Sequence, residues 1–464
     1  MESQHHFDSD KPSIKKIVPI LRKESEIRER QEREEREERE SHPEYRPSSP
    51  ITREPRAPRA PREQVAPLPT PAATSAIKTI RDLRLAGKTV FMRLDFNVPL
   101  SAPDAEGHRT IEDDTRIREA LPTIRYAIEQ GSKLVLASHL GRPDGERKPE
   151  FSLLPVAEHL AKLLGQEVIL TDEIIGEGIE MMVQGLKAGQ VLLLENLRFH
   201  KEEEANDVEF ARKLARLGAI YITDAFGTAH RKHASTYGIP SITQNRGIGF
   251  LIEKELKFLD QLLHSPGKPF YAVLGGSKVS DKIKTIDSLL KRVDGLAIGG
   301  AMAHAFWAVQ GDAIPAGAKQ PKPADIEAAR AVLATAKRRN IPVLLPSDTN
   351  LGFDIGPKSI AQFKDFLSQA KTIFWNGPLG WFEKPEYSAG TFEIARAISE
   401  IDAVKVVGGG DTVLAIKQAG VAEKFDHLST GGGAVLEYLE GEGLPGIDIL
   451  RTYNRQSPES PTLQ

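Results

Sequence analysis

Positively charged side chains recur just after short apolar runs of the sequence, where predicted strands end. The set comprises Arg93, His139, Arg142, Arg198, His230 and Arg231, and Arg116 stands at a predicted helix start in DDTRIR. Because ligands of open parallel sheets bind at the carboxyl ends of the strands, these groups should converge on one crevice. Each arginine alone is more often a surface charge. Guanidinium groups bind phosphate and carboxylate in pairs of hydrogen bonds, so the whole set predicts a small ligand with several negative charges.

The histidines have other possible roles. His139, His230 and His233 could bind a metal, but they lack the carboxylate partners and the H-x-x-x-H spacing of such sites, so we discount this role. His139 could equally be a core histidine whose hydrogen bonds are satisfied.

The carboxylates near these strand ends also leave two interpretations open. Asp95 and Asn97 could simply shape the turn before Pro99. Asp95 and Glu195 could form a general acid/base pair, although nothing in the sequence brings them together.

Glycines and lysines occupy the corresponding positions of the second half. VLGGSKVSDKI supplies Gly275, Gly276, Lys278 and Lys282, and VVGGGDTVLAI supplies Gly408, Gly409, Gly410, Asp411 and Thr412. Glycine lets the backbone approach a phosphate, and a helix start supplies N–H donors and positive potential. Lys278 and Lys282 would share one helix face and reach the same phosphate chain. Asp411 could hold Mg²⁺, which takes few carboxylates plus phosphate oxygens. Close helix–strand packing explains such glycine runs about as often.

Several familiar catalytic motifs are missing. The sequence has no G-x-x-x-x-G-K-[ST] loop, no H-R-D or D-F-G set, no G-x-S-x-G and no H-E-x-x-H. The G-x-G-x-x-G dinucleotide fingerprint is absent from the first strand–helix turn. These absences argue against hydrolases, metalloproteases and simple dehydrogenases.

Short apolar runs alternate with helical patterns from Ala76 onward, first up to about residue 247 and again after residue 265. This alternation predicts parallel sheets connected by right-handed crossovers. We therefore expect an α/β protein with two doubly wound, Rossmann-like domains joined by a hinge helix. The predicted boundaries are 76–247 for the first domain, 248–265 for the inter-domain helix, 266–440 for the second domain and 441–464 for a C-terminal segment.

Residues 1–75 have a different composition. The stretch Leu21–Glu40 is almost entirely Glu and Arg, and nine prolines lie between Pro43 and Pro71. Without an apolar stripe this stretch cannot pack on a core. We expect a disordered, charged and proline-rich extension without chemistry of its own, rather than a docking arm.

The overall composition narrows the class of protein. The 464 residues correspond to two or three domains of about 150 residues. A net charge of −3 gives no broad electrostatic reason to expect nucleic acid or a membrane surface as partner. Cysteine is absent, which excludes disulfides, thiolate catalysis and Cys-ligated zinc. No apolar run is long enough to span a membrane, and the N-terminus lacks a secretory signal, so the expected location is the cytoplasm.

A series of sequence blocks resembles the phosphoglycerate kinase family. RLDFNVPL, DDTRIREALPTI, SHLGRPDG, ENLRFHKEE, DAFGTAHRKHAS, EKEL, LGGSKVSDKI, WNGPLGWFE, GGGDT and STGGGAVLEYLEG occur in the family's order between residue 76 and about residue 447. The resemblance implies reversible phosphoryl transfer between 1,3-bisphosphoglycerate and ADP, giving 3-phosphoglycerate and ATP, in glycolysis. It also implies a monomer that uses Mg²⁺, and a C-terminal segment that returns to the first domain.

The resemblance implies roles for individual residues as well. Phosphoglycerate would be bound by Asp95, Asn97, Arg116, His139, Arg142, Arg198, His230 and Arg231. The nucleotide would be bound by Gly275, Gly276, Lys278, Lys282, Gly299, Gly300, Gly352, Phe353, Asn376, Glu383, Gly408, Gly409, Gly410, Asp411 and Thr412, with Asp411 as the metal ligand. Catalysis would fall to Arg116, Lys278, Gly409 and Gly410 as the cleft closes on both substrates.

The chain departs from the family pattern in its extension and in LLPSDTNLGFDIGP, a stretch markedly shorter than usual. Because Gly352 and Phe353 are retained, we expect the adenine site to survive. Two other functions stay open: a catalytically weak paralogue that acts as a scaffold through its tail, and an oxidoreductase with two Rossmann-like domains. An assay of ATP formation separates the first, and a nicotinamide titration the second.

Overall fold

The computed structural model describes residues 15–17, 77–315 and 318–451. Its strands are β1 (Lys15–Ile17), β2 (Thr89–Arg93), β3 (Lys133–Ala137), β4 (Val168–Leu170), β5 (Val191–Leu193), β6 (Ile220–Thr223), β7 (Arg246–Ile248), β8 (Phe270–Leu274), β9 (Gly295–Ile298), β10 (Val343–Leu344), β11 (Thr349–Asn350), β12 (Asp354–Ile355), β13 (Thr372–Asn376), β14 (Val404–Gly408) and β15 (His427–Ser429). The α-helices are α1 (Thr115–Glu129), α2 (Leu154–Leu164), α3 (Glu177–Gly185), α4 (Lys201–Glu204), α5 (Val208–Ala215), α6 (Ile239–Ile242), α7 (Phe250–His264), α8 (Ile283–Leu289), α9 (Ala303–Gln310), α10 (Pro323–Arg338), α11 (Pro357–Leu367), α12 (Ala389–Glu400), α13 (Gly410–Gln418), α14 (Gly433–Glu440) and α15 (Pro445–Asp448).

The first sheet has the strand order β1-β4-β5-β3-β2-β6-β7. Six of its strands, β2 to β7, run parallel, and β1 pairs antiparallel with β4 at one edge. The central strands are continuous apolar runs because helices cover both faces, as in TVFMR and KLVLA. The carboxyl ends of β5, β3, β2 and β6 therefore lie side by side at one edge.

The second sheet has the order β10-β9-β8-β13-β14-β15, with all strands parallel. The predicted α/β class with two doubly wound parallel sheets is thus confirmed. The shortened stretch folds as a small antiparallel hairpin, β11 with β12. Its turn contains Leu351 and Gly352, with φ of 52° and 78°.

The core has three parts, and one of them runs through both halves of the molecule. Val90 and Met92 face one apolar cluster of the first sheet, and Phe91 faces the other, because side chains alternate along a strand. The second cluster continues through Ile252 of α7 to Phe270 of the second sheet. The helix between the sheets is therefore part of a shared core.

The N-terminus of α7 is capped by a residue distant in sequence. Asp224, which follows β6, accepts hydrogen bonds from the Ile252 N–H at 3.0 Å and from the Thr123 hydroxyl at 2.5 Å. A Cβ at Gly249 would lie 2.3 Å from the Asp224 carboxyl carbon, so only glycine fits there. The helix lies within the predicted range 248–265.

Two described segments near the ends of the sequence, β1 and α15, contact the first half. The sequence predicts disorder for residues 1–75 and gives no signal for β1, yet Lys15–Ile17 pair with Val168–Leu170. The rest of that predicted extension lies outside the described residues. Near the other end, the Gly446 N–H in α15 donates to the Ala229 carbonyl at 2.8 Å. Within the described ranges, no helix is long and apolar enough to cross a membrane.

Candidate active site

The predicted anion-binding residues lie along one edge of the first sheet. Asp95 and Asn97 follow β2, His139 and Arg142 follow β3, Arg198 lies in a 3₁₀ turn after β5, His230 and Arg231 follow β6, and Arg116 is the second residue of α1. Since β5, β3, β2 and β6 are neighbours, these eight residues share the carboxyl edge of the sheet.

Arg116 is held at the mouth of this crevice by the residues after β2. Its Nη1 lies 3.2 Å from Asp95 Oδ1 and donates to the Asn97 carbonyl at 2.9 Å. The Asn97 side chain in turn accepts from the Gly141 N–H at 2.9 Å. With 31% of its side chain exposed, Arg116 is anchored but open to a ligand.

The electrostatics of His139 show that the guanidinium groups converge. Burial, followed by the charges of Arg93, Arg198, Arg116 and Arg231, holds the pKa of His139 well below its usual range. His139 is therefore neutral near pH 7, and the positive charge of the crevice resides on arginines. A crevice of this kind favours a multiply charged anion.

Arg198 and Arg231 border the same crevice in different ways. Arg198 is buried, with its Nη1 donating to the Gly141 carbonyl at 2.8 Å and its Nη2 3.0 Å from Glu204 Oε1. The Nε of Arg231 lies 3.3 Å from His230 Nε2, and burial and then the Arg231 charge lower the pKa of His230. Arg142 is exposed on the loop after β3.

A buried layer supports these residues. Arg93, which the sequence placed among the groups facing the crevice, is buried instead, and its Nε donates to the Ser235 hydroxyl at 2.9 Å. Ser235 donates to Glu203 from its backbone at 2.9 Å and from its hydroxyl at 2.5 Å. Burial raises the pKa of Glu203, and burial together with nearby arginines lowers the pKa of His233 to about 3. Glu203 stands in a run of three glutamates, so only the tertiary structure distinguishes it.

The structure decides one alternative left open by the sequence. Glu195 accepts from the Ser152 hydroxyl and the Leu153 N–H, both at 2.7 Å, so it orders the start of α2 and does not pair with Asp95. Among the described residues, the one group suited to a metal is exposed and comprises Asp104, Glu106 and His108. None of the three histidines considered above belongs to it.

Glycines allow the loops at the carboxyl edge of the second sheet to meet. A Cβ at Gly275, after β8, would lie 2.1 Å from the Pro378 carbonyl oxygen, after β13. Gly300, after β9, has a φ of +63°, and a Cβ there would lie 2.9 Å from the Gly276 N. The backbone itself therefore lines this edge, as a phosphate-binding surface requires.

The expectation that Lys278 and Lys282 share a helix face is wrong. Helix α8 begins only at Ile283, after a 3₁₀ turn at Ser280–Lys282. Lys278 is half exposed and lies 3.2 Å from Asp281, whereas Lys282 turns inward and donates to the Gly275 carbonyl at 2.8 Å. Burial lowers the pKa of Lys282 to about 8.

The glycine run after β14 forms the start of α13. Gly409 has a φ of +98°, and a Cβ there would lie 2.9 Å from Asn376 Nδ2. Thr412 is buried and accepts from the Gly377 N–H at 2.7 Å, which joins the ends of β13 and β14. Gly410 and Asp411 are exposed in the first helical turn, where backbone N–H groups have no intrahelical partner.

The remaining predicted nucleotide residues border the short hairpin. A Cβ at Gly352 would lie 2.5 Å from Ala318 Cβ, and a Cβ at Gly299 would lie 2.6 Å from Leu379 Cδ2. Phe353 forms an aromatic cluster with Trp381 and Tyr387, with ring centroids 6.0 Å and 5.0 Å from its own. Glu383 is exposed on the loop after β13.

A small pocket lies beside the Lys278 loop. Its lining includes Lys278, Met302, Lys319 and Lys322. Lys319 and Lys322 belong to the stretch before α10, and sequence analysis did not name them. The signal for them was weak, because isolated lysines in a proline-rich loop are usually solvent-exposed.

Residues at the carboxyl edges of the two sheets contact each other. The Nη2 of Arg116 lies 3.5 Å from the Thr430 carbonyl, and a Cβ at Gly227 would lie 3.7 Å from Gly431 Cα. Thr430 and Gly431 follow β15 of the second sheet. Arg116 therefore stands at the boundary between the two half-sites.

Helix α7 is bonded to the second half along its length. Buried Glu255 lies 2.7 Å from His427 Nε2 and accepts from the Ser429 hydroxyl at 2.7 Å. Further along, the Tyr438 hydroxyl donates to Asp260 at 2.6 Å. Since Asp224 caps the other end, the helix mechanically couples the two sheets.

Comparisons with known proteins agree with this arrangement. The family model for "Phosphoglycerate kinase" matches residues 80–352 and 348–442, in two pieces that meet at the shortened stretch. A phosphoglycerate kinase of Anaeromyxobacter sp. is 47% identical over 81% of this chain and 99% of its own length, and that of Acidobacterium capsulatum is 50% identical over 80% and 98%. The solved structure of phosphoglycerate kinase from Coxiella burnetii has a TM-score of 0.71 at 37% identity, covering 81% of this chain and 99% of that chain. A match of this extent in sequence and in fold places the chain in the phosphoglycerate kinase family.

Proposed function

We propose that the carboxyl edge of the first sheet binds the phosphoglycerate and that of the second sheet binds the nucleotide. The chain is an enzyme of glycolysis, a phosphotransferase with a carboxyl group as acceptor, which moves a phosphoryl group between 1,3-bisphosphoglycerate and ADP. We assign the roles in substrate binding, metal binding and phosphoryl transfer to individual residues of this chain.

The phosphoglycerate is held by the arginine-rich crevice. The binding residues are Asp95, Asn97, Arg116, His139, Arg142, Arg198, His230 and Arg231. The observation that carries this assignment is geometric: these residues follow four neighbouring strands, where Arg116 is bonded to Asp95 and Asn97 and Arg198 to Gly141. Guanidinium groups pair with both the phosphate and the carboxylate of such a substrate.

The nucleotide, ATP or ADP, is held by the glycine-lined edge. The residues proposed to lie along the phosphates are Gly275, Gly276, Lys278, Lys282, Gly408, Gly409, Gly410 and Thr412. Those proposed to border the base and the ribose are Gly299, Gly300, Gly352, Phe353, Asn376 and Glu383. This assignment is supported by the loop contacts that only glycine permits at Gly275 and Gly300. The hairpin keeps Gly352 and Phe353 beside this edge despite the shortened chain.

Asp411 fits as the ligand of a magnesium ion. Its carboxylate is exposed in the first turn of α13, and the buried Asn376 Oδ1 has no hydrogen-bond partner among the described residues. Asp411 belongs to no protein cluster of three metal ligands in the described part of the chain. This suits Mg²⁺, which is completed by phosphate oxygens and water and would neutralise phosphate charge.

Transfer occurs directly between the two substrates. A carboxylate oxygen of 3-phosphoglycerate attacks the γ-phosphorus of ATP, the bond to the β,γ-bridging oxygen breaks, and ADP departs with the electron pair. Arg116, Lys278 and the backbone N–H groups of Gly409 and Gly410 stabilise the negative charge of the transferring group. Such a reaction requires positioning and charge stabilisation rather than a covalent nucleophile.

The two half-sites must close on each other to exclude water. Water in an open cleft would intercept the acyl phosphate or ATP. We place the hinge in α7, because this helix is bonded to Asp224 at one end and to His427 along its body. The predicted domain ranges, the monomeric state and the cytoplasmic location complete the proposal; gel filtration and cell fractionation test the last two.

A coupled assay of ATP formation from 1,3-bisphosphoglycerate and ADP tests the proposed function. The full chain should turn over, and the rate should depend on added Mg²⁺. A matched variant, Asp411→Asn, should require more Mg²⁺ for half-maximal rate, whereas Asp104→Asn in the exposed acidic group should not. Absence of turnover above background would favour the scaffold alternative instead.

A further inference from the structure

A lysine of the second half contacts the start of the helix that carries Arg116. Lys417 Nζ lies 3.6 Å from Asp113 Oδ1 and donates a hydrogen bond to the Thr115 hydroxyl. Lys417 and Thr115 are separated by 302 positions in sequence. Thr115 begins α1, which precedes β3 of the first sheet, and Lys417 lies in α13, which follows β14 of the second sheet, so the contact joins the two halves.

The acceptor side of this contact is pre-organised. Asp113 Oδ1 accepts from the Thr115 N–H at 2.9 Å and also from the Thr115 hydroxyl. Burial alone would raise the pKa of Asp113, but the bonds from Thr115 and the charge of Lys417 lower it below its usual value. Asp113 is thus a fixed negative charge beside the N-terminus of α1, where a helix dipole favours one.

The donor side is also set by its helix. Lys417 lies in the last turn of α13, where a positive charge is favoured by the helix dipole. Its side chain is one third exposed, so its ammonium reaches the facing half while staying hydrated. The first turn of the same helix contains Gly410, Asp411 and Thr412.

The contact joins the two helices whose first turns carry the transfer site. Arg116 is the residue after Thr115 in α1. Gly410 lies at the opposite end of α13 from Lys417, roughly 10–13 Å along the helix at 1.5 Å per residue. A second cross-cleft contact, from Arg116 to the Thr430 carbonyl, lies beside it. Fixing the Lys417 end of α13 on α1 therefore limits how far Arg116 can move from the phosphate-binding N–H groups.

We propose that Lys417, through its contacts with Asp113 and Thr115, is a positioning residue that holds the two half-sites in their approached arrangement. This inference rests on the proposed function, since it assigns Lys417 a part in closing the same site. In this proposal Lys417 acts through α1 and α13 and is not itself a substrate-binding residue. It shifts the open–closed equilibrium by the energy of one partly exposed ion pair.

The test compares Lys417→Met, which removes the charge but keeps the length, with Lys417→Arg, which keeps the charge and the reach. Exposed ion pairs are modest in energy, so kcat of Lys417→Met should fall about two- to fivefold. The dissociation constants of ATP alone and of 3-phosphoglycerate alone should stay unchanged, because each binds one half. Lys417→Arg should recover most of the rate.

Two further measurements separate positioning from a local structural effect. Small-angle X-ray scattering of the ligand-free protein should give a larger radius of gyration for Lys417→Met than for wild type. Combining Lys417→Met with Asp113→Asn should lower kcat no further than the more damaging single change, since both remove one contact. The matched control is Lys424→Met, whose partner Glu400 lies within the same half, and it should alter neither quantity.

Equal kcat and equal radius of gyration for Lys417→Met and wild type would overturn the proposal. So would a loss of rate explained entirely by weaker binding of one substrate. A wild-type protein without turnover would instead refute the proposed function. In that case the scattering comparison still decides whether Lys417 holds the halves together.

Discussion

At the residue scale, the candidate site separates groups that carry charge from groups that hold them. The arginines supply the positive charge, while His139 stays neutral because burial and those same arginines oppose its protonation. Beneath them, Arg93 is fixed by Ser235 and Leu94 and so acts as a support. The sequence therefore shows which residues carry charge. Only the fold shows which of them face the crevice and which support the others.

The clearest residue-scale prediction concerns Arg116. Replacing it with alanine should lower kcat by about 100-fold or more, because the lost guanidinium acts on charge that develops during transfer. Binding of ATP alone should be unaffected, and the KM for phosphoglycerate should change much less than kcat. Steady-state kinetics and separate binding titrations check this.

Arg109 provides the control for Arg116. Its guanidinium donates to the Ser101 carbonyl at 3.0 Å, on the loop before α1, so Arg109→Ala removes an equal charge from a nearby position without touching the crevice. Its kcat should remain that of wild type. If Arg116→Ala left the rate unchanged, the transfer site would have to be placed elsewhere.

Sequence reasoning predicted the positions of residues after strands better than the contacts that those residues make. Residues after strands could be placed at one edge because parallel strands end together, as for His139 and Arg198. The predicted placement of Lys278 and Lys282 on one helix face was wrong, because a 3₁₀ turn precedes the helix and directs Lys282 inward. Contacts between distant segments, such as Glu203 with Ser235, leave no local pattern at all.

At the element scale, α7 illustrates what the sequence predicts and what it omits. The apolar spacing of its residues predicts a helix, and the Pro266–Gly267 pair its end. The tertiary cap from Asp224 and the buried partners of Glu255 are not visible in that spacing. These contacts fix the helix between the two halves. Its apolar face belongs to the core cluster that continues from the first sheet to the second.

We predict a pH dependence of stability that arises at Asp224. Burial raises the pKa of this carboxyl from 3.8 to about 7, so the native state keeps a proton that the unfolded chain has already released. The contribution of Asp224 to the free energy of unfolding should therefore fall as pH rises from about 4 to about 7, and then level off. Asparagine cannot titrate, so the stability of Asp224→Asn relative to wild type should increase over that interval.

Urea unfolding at a series of pH values measures this difference. Thr123→Val serves as the matched variant, since it removes the hydroxyl bond that favours the charged carboxylate and should move the upper end of the interval to higher pH. A stability difference between Asp224→Asn and wild type that is flat from pH 4 to pH 7 would contradict the prediction.

At the scale of the whole molecule, the two sheets are joined by one connecting helix and by a shared core. We infer that these connections allow the two proposed half-sites to act together. Sequence alternation predicted both sheets, since strands buried on both faces are continuous apolar runs. It did not predict β1, because a three-residue edge strand in a highly charged, proline-rich segment has no distinguishing period. The relative placement of the halves depends on contacts such as Lys417 with Asp113, which no local pattern reveals.

Removal of residues 1–75 should have little effect on the folded enzyme. Strand β1 pairs at three positions with the outer strand β4, and the predicted site lies on the strands further in. We expect an unchanged kcat and a fall in Tm of at most about 4 °C, which corresponds to roughly 1 kcal/mol for a domain of about 150–250 residues. Calorimetry and the coupled assay measure the two quantities.

The control for this truncation is removal of residues 1–14 alone, which retains β1 and should leave Tm at the wild-type value. A large drop in kcat for the longer truncation would show that the extension takes part in the working enzyme. A Tm loss that appears already in the shorter truncation would place the stabilising contacts before β1.

The aromatic cluster of Phe353, Trp381 and Tyr387 contains a tryptophan, and the tryptophans of this molecule are unevenly distributed between its two halves. All three tryptophans, Trp307, Trp375 and Trp381, lie in the second half, and Trp381 is the one with substantial solvent exposure. Intrinsic tryptophan emission therefore reports on that half alone. Quenching by an added solute such as acrylamide would act mainly through Trp381, so the native protein already contains a spectroscopic probe beside its predicted nucleotide edge.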